Sequence, residues 1–149
     1  MTGVGAEGID HVSIAVVDLD GAVAFFTGVL GLRQTHVEVN EREGVSEVML
    51  AGKSGEAQVQ LISPVVVAGA DASGGNLSGV AKFLSERGSA IHHLALEVAD
   101  VEVAANAARA AGVRVLNETP LSGAKESKIV FLHPKDCHGV LIELVQLAN

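Results

Sequence analysis

The chain has 149 residues, 48% of them hydrophobic, with four Phe, neither Trp nor Tyr, and a formal net charge of -8. That is material for one domain, or for two small modules sharing a core. The scarcity of aromatic rings excludes base-stacking platforms and aromatic cages, and an acidic balance with no Lys/Arg run excludes a nucleic-acid interface.

The opening "MTGVGAEGID" lacks the cationic-then-apolar pattern of a secretory signal. The first element follows in "DHVSIAVVDLDGAVAFFTGVLGL": an apolar strand led by His11, then an amphipathic helix that Asp18 or Asp20 can cap. Three further strands are predicted in "RQTHVEV", "VSEVMLA" and "AQVQLIS". The apolar stretch "ISPVVVAGA" is too short to span a bilayer. The segment "DASGGNLSGVAKFLSERG" reads as a Gly/Ser-rich linker and then a connecting helix capped near Ser78. The second half opens with "HHLALEVADVEVAANAARAAGV", a strand and a helix capped by Asp100, and continues with strands in "VRVLNE", "SKIVFL" and "VLIELVQL". A lone cysteine, Cys137, excludes an intramolecular disulfide, so the expected setting is a soluble, cytoplasmic one with no membrane partner.

The two halves are one pattern written twice. His11 to Asp18 and His93 to Asp100 are both 7 residues; His11 to Gly31 is 20 and His93 to Gly112 is 19. The repeat offset from His11 to His93 is 82 residues, which pairs His92 with Asp10 instead. Neighbours on a strand face opposite ways, so His92 and His93 cannot look into one site. The repeat selects His93. Each half reads β-α-β-β-β and alone would leave one sheet face uncovered, so the two must pair in an α+β fold. The expected organisation is a single domain over 1–149, with module 1 at about 8–64, a linker and connecting helix at about 65–88, and module 2 at about 89–147.

In the last strand of each half an oxygen-bearing residue sits at nearly the same distance from its histidine. Gln60 lies 49 residues after His11, and Glu143 lies 50 after His93. Alone, His11 reads as a structural histidine at a strand start and Gln60 as a surface residue. Glu143 is different, because "VLIELV" places a carboxylate in an apolar strand, where a charge needs a partner. Taken as four positions related by one repeat, His11, Gln60, His93 and Glu143 point to a divalent ion such as Co, Ni, Mn, Fe or Zn, with open positions for substrate. Alternation puts Ser13 and Ala15 on the face of His11, and Ala95 and Glu97 on that of His93, leaving Ile14, Val16, Leu94, Leu96 and Val98 toward the helices.

The stretches "IDHVSIAVVDLDGAVAFF", "EVNEREGVSEVMLA", "SGVAKFLSERGSAIHHLALEVADV" and "IVFLHPKDCHGVLIELVQ" resemble the methylmalonyl-CoA epimerases of the vicinal oxygen chelate superfamily, from about residue 8 to 147. The resemblance implies that superfamily's fold, two paired βαβββ modules forming a curved mixed sheet around a metal site. It further implies interconversion of (2R)- and (2S)-methylmalonyl-CoA by a 1,1-proton transfer through a metal-stabilised enolate, with Co2+ the expected ion, an acyl-CoA partner and a homodimer. The family's acid/base glutamates fall on Glu47 and Glu143. Without the resemblance, Glu47 would read as an exposed strand carboxylate, although Val45 and Met49 share its face. Lys128 and Lys135 could meet anionic parts of a CoA ester, though solvated lysines are commoner. His133 and Cys137 are expected in a turn beside the site, and His36 in a structural or exposed place.

Some residues depart from the family pattern. "LSGAKESKI" carries Lys125 and Glu126 where glycines are usual, and "PVVVAGADASGGN" is long. Both keep open a related acyl group such as ethylmalonyl. Phe25–Phe26 replaces tyrosines and reads as conservative packing. Other readings are an Fe(II) dioxygenase, against which Gln60 argues, a glyoxalase-like lyase, and a metal-free ligand-binding or resistance protein.

Overall fold

A computed structural model describes residues 3–65 and 79–149. The expected linker in 64–76 and the cap near Ser78 therefore lie almost wholly outside the described residues. The strands are β1 (Gly8–Ala15), β2 (Arg33–Asn40), β3 (Val45–Ala51), β4 (Gln58–Pro64), β5 (Ala90–Glu97), β6 (Leu121–Ser122), β7 (Lys128–Leu132) and β8 (Ile142–Gln146), with helices α1 (Leu19–Ala24), α2 (Gly79–Arg87) and α3 (Val101–Ala110). None of these helices is long and apolar enough to cross a membrane. Contacts divide the chain into two compact units, Ser13–His92 on one side and Met1–Val12 with His93–Asn149 on the other.

In the unit Ser13–His92 the hydrogen-bonded strand order is β2-β3-β4-β1. Antiparallel registers set Val37 opposite Val48 and Met49 opposite Gln60. Alternation then decides the packing. Ile14, Val16, Val48, Leu50 and Leu61 meet Leu19, Ala22, Val23 and Phe26 around α1, whereas Ala15, Val45 and Ile62 pack against Val80, Phe83 and Leu84 of α2. Of the two candidate caps, Asp18 starts α1: its Oδ1 accepts the Gly21 N–H at 3.0 Å. A Cβ on Gly21 would stand 2.3 Å from Asp18 Oδ2, so a side chain there would make the capping carboxylate shift. After Ala24 the helix widens into a π turn over Phe25–Val29, with the Leu30 N–H donating to the Phe25 carbonyl at 3.2 Å.

In the other unit the order is β1-β5-β8-β7-β6. β5 and β8 run parallel with Ala95 beside Glu143, and β7 runs antiparallel to β8 with Phe131 beside Glu143. Val101, Ala104, Ala105 and Ala108 of α3 bury against Val98, Val130, Leu132 and Leu144. The small side chains let the helix lie close to the sheet, where a tightly packed core tolerates little extra volume. Asp100 caps this helix through the N–H groups of Glu102 and Val103, at 2.9 and 3.1 Å. Both helical segments end on a glycine in the left-handed region, Gly31 at φ 76° and Gly112 at φ 84°, which a side chain would strain.

The strand expected in "VRVLNE" does not form. Only an isolated bridge, Val115 to Leu132, remains, and the short β6 lies further on at Leu121–Ser122. Side chains take the ladder's place. Asn117 Oδ1 accepts the Phe131 N–H at 2.9 Å, and Asp136 Oδ2 accepts the Arg114 N–H at 3.0 Å.

Candidate metal centre

Three neighbouring strands bring His11, His93 and Glu143 together, on β1, β5 and β8. All are buried, with 3%, 5% and 6% exposure. The Nε2 atoms of the two histidines are 3.3 Å apart. Glu143 Oε2 lies 3.2 Å from His93 Nε2, and its Oε1 lies 3.7 Å from His11 Nε2. One potential ligand atom from each residue falls within 4.8 Å of the others.

The donor set fits a divalent cation on two grounds. Asp10 Oδ2 lies 2.6 Å from His11 Nδ1; a carboxylate only accepts, so this geometry suits a proton on Nδ1 and, in a neutral ring, leaves Nε2 facing the cluster as an acceptor. Two of the separations, 3.3 and 3.2 Å, also fall in the range of roughly 3.0–3.4 Å at which donors held about 2.1 Å from one ion stand apart, while the third is wider at 3.7 Å. The rings are braced as well. His93 meets Phe131 edge to face at 5.6 Å and 86°.

Glu47 and Gln60 lie in the other unit. Glu47, on β3, is 7% exposed between Val45 and Met49 on its own face, so the exposed alternative does not apply. Gln60, on β4, is 4% exposed, and its Oε1 finds no hydrogen-bond partner among the described residues. A buried amide oxygen left unpaired costs about 1–3 kcal/mol, which a ligand would offset.

The remaining candidates are less engaged. Lys128 at the start of β7 and Lys135 in the 3₁₀ turn Pro134–Asp136 are exposed. His133 caps that turn, its Nδ1 accepting the Lys135 N–H at 3.1 Å, and burial pushes the Cys137 thiol up, away from reactivity. Arg114 grips Asp136 of the same turn in a two-pronged pair at 2.8 and 3.0 Å, holding its carboxyl well below the ordinary carboxylate range. His36 pairs with Glu38 at 3.3 Å. Phe26 packs on the core under α1, as expected, while Phe25 remains 48% exposed. Sequence reasoning gave Asp10 no role. The only available signal was its place immediately before His11.

Strands β1, β5 and β8 carrying two imidazoles and a carboxylate, with β8 paired parallel to β5 and antiparallel to β7, define the vicinal oxygen chelate fold. The profile of the Glyoxalase/Bleomycin resistance protein/Dioxygenase superfamily matches residues 10–131, and the chain belongs to that superfamily. It is 34% identical over 139 residues to the mitochondrial methylmalonyl-CoA epimerase of Homo sapiens, covering 93% of this chain and 73% of the relative. It is 33% identical over 141 residues to the ethylmalonyl-CoA/methylmalonyl-CoA epimerase of Cereibacter sphaeroides, covering 93% and 97%. Among solved structures, a methylmalonyl-CoA epimerase of Streptomyces coelicolor in complex with 2-nitronate-propionyl-CoA superposes with a TM-score of 0.85 at 41% identity, covering 97% of this chain and all (100%) of that one.

Proposed function

We propose that the chain interconverts (2R)- and (2S)-methylmalonyl-CoA by moving the α-proton between opposite faces of the substrate. The observation that carries this is the buried convergence of His11, His93 and Glu143 in a chain whose relatives bear that activity in their names.

The α-proton lies between a thioester and a carboxylate, and its removal puts negative charge on the thioester oxygen. The chemistry that a divalent cation held by His11, His93, Glu143 and Gln60 supplies is positive charge for that oxygen. Epimerisation without a large substrate flip needs an acid/base group on each face. We assign these roles to Glu47 and Glu143. Burial among Val45 and Met49 supports Glu47 in accepting the proton from one epimer at a carboxylate oxygen. Glu143 serves the other face, and sharing its oxygens with a cation makes it the weaker base. Gln60 is supported by its unpaired buried oxygen and by its spacing from His11. Co2+ is the first ion to test, then Ni2+, Mn2+, Zn2+ and Fe2+. Lys128 and Lys135 are assigned to the anionic parts of the CoA moiety, in a cytoplasmic homodimer.

The test is proton NMR of methylmalonyl-CoA in deuterated water, with Co(II)-loaded protein and a metal-free control. Metal-dependent loss of the α-proton signal with stereochemical scrambling is the expected result. No exchange, with metal tightly bound, discards this substrate. Ethylmalonyl-CoA is then the second reading, favoured by the Cereibacter sphaeroides relative named for both esters.

A further inference from the structure

Asp10 and His11 are consecutive residues of β1, and strand neighbours ordinarily point apart. Here the carboxylate folds back onto the ring, with Oδ2 2.6 Å from Nδ1, and the Asp10 side chain is only 17% exposed. We infer that Asp10 is a positioning residue that fixes the orientation and tautomer of His11 for metal binding. The inference rests on the proposed role of His11 as a ligand.

Two alternatives compete for the His11 ring. With its proton on Nε2, the ring would donate to His93 or Glu143, whose atoms lie at 3.3 and 3.7 Å, and the cluster would satisfy itself without an ion. With its proton on Nδ1, donated to Asp10, Nε2 is left as a ligand. A charge-assisted bond of this length favours the second state. A carboxylate behind a ligating imidazole also raises its basicity and holds its plane, and loss of such a partner typically lowers metal affinity about 10- to 100-fold.

The repeat sharpens the point. The position equivalent to Asp10 is His92, whose ring lies edge-on to Phe83 at 4.9 Å. Only the first of the paired histidines is therefore preceded by a carboxylate. The Asp10 carboxylate meets the His11 ring at Nδ1, and the His93 ring lies edge to face with Phe131.

The experiment compares wild type, Asp10→Ala, Asp10→Asn and His92→Ala. Apo proteins prepared with chelator are titrated with Zn(II) against a chromophoric competitor, and the His11 ring nitrogens are read by long-range proton–nitrogen NMR. In wild-type apo protein His11 carries its proton on Nδ1. Asp10→Ala shifts it toward Nε2 and weakens Zn(II) binding about 10- to 100-fold. Asp10→Asn, which keeps a weaker acceptor, falls between, and His92→Ala binds as wild type. Wild-type tautomer and affinity in Asp10→Ala overturn the inference. If that variant does not fold, the same result in Asp10→Asn overturns it and a loss supports it. Failure of wild type to bind any ion sinks the metal reading separately, while the tautomer comparison still decides whether Asp10 sets the ring.

Discussion

Helices α1 and α3 hold the same place in the two halves of the repeat, yet they are built differently. α3 runs ten residues, buries Val101 and three alanines, and takes two N–H caps from Asp100. α1 runs six residues, buries none fully, takes one N–H cap from Asp18 and gives way to a π turn. The strands beneath them diverge less, each bringing a buried histidine at its fourth residue, His11 in β1 and His93 in β5. The face that meets the ligand is under chemical constraint, because a side chain there must reach a fixed point. The outer layer has only to cover apolar surface, and many sequences do that.

The largest effect expected lies on the constrained face. Glu47→Gln keeps its metal, measured by elemental analysis, but loses α-proton exchange by about 10²- to 10⁴-fold. His93→Ala loses metal and exchange together. Normal exchange in Glu47→Gln removes that residue from the chemistry, and equal metal content in His93→Ala removes that one from the centre.

Next is the outer layer itself. Ala104→Leu forces volume into the close contact under α3, where Ala104 is 2% exposed, and costs about 1–3 kcal/mol in urea unfolding. Ala22→Leu in the half-buried α1 costs much less. Equal losses would erase the contrast between the helices. Smaller again are the caps. Removal of an N-cap costs about 0.5–2 kcal/mol, and Asp100→Ala, which frees two N–H groups, sits above Asp18→Ala in that range.

The smallest effect concerns Arg114 and Asp136. Because pairing lowers the folded-state pKa of Asp136, its contribution is present above the unfolded value of about 3.9 and fades as pH falls through the folded one. Asp136→Asn should therefore be less stable than wild type by a constant small margin from pH 7 to 5, with the margin closing only below about pH 4. A margin that closes near neutrality instead would assign the effect to another group.

What could be read from the chain alone followed local rules. Strands β2, β3 and β4 fall within a residue of their expected limits, because alternation and turns mark them, whereas β1 begins at Gly8, three residues before the His11 expected to lead it. The burial of Glu143 within an apolar strand was legible for the same reason, whereas Gln60, which alone reads as a surface residue and is buried, was singled out only by its repeat spacing from His11. "VRVLNE" was misread because its fate depends on partners far along the chain, 14 residues from Asn117 to Phe131 and 22 from Arg114 to Asp136. Asp10 escaped notice because alternation, which selected His93 over His92, argues that consecutive residues part company. A side chain turning back on its neighbour is a tertiary event.

The π turn at Phe25–Val29 also settles a small difference in length. From histidine to terminating glycine the first half takes 20 residues and the second 19. A turn closed from Leu30 back to Phe25 takes up one residue more than an α turn closed four back, and then resumes the path. The surplus is absorbed locally, so Gly31 still ends its helix as Gly112 ends the other. A duplicated chain can thus gain or lose a residue in its outer layer without disturbing the alternation that aims its strand side chains, and helices of this kind are where homologues should vary in length.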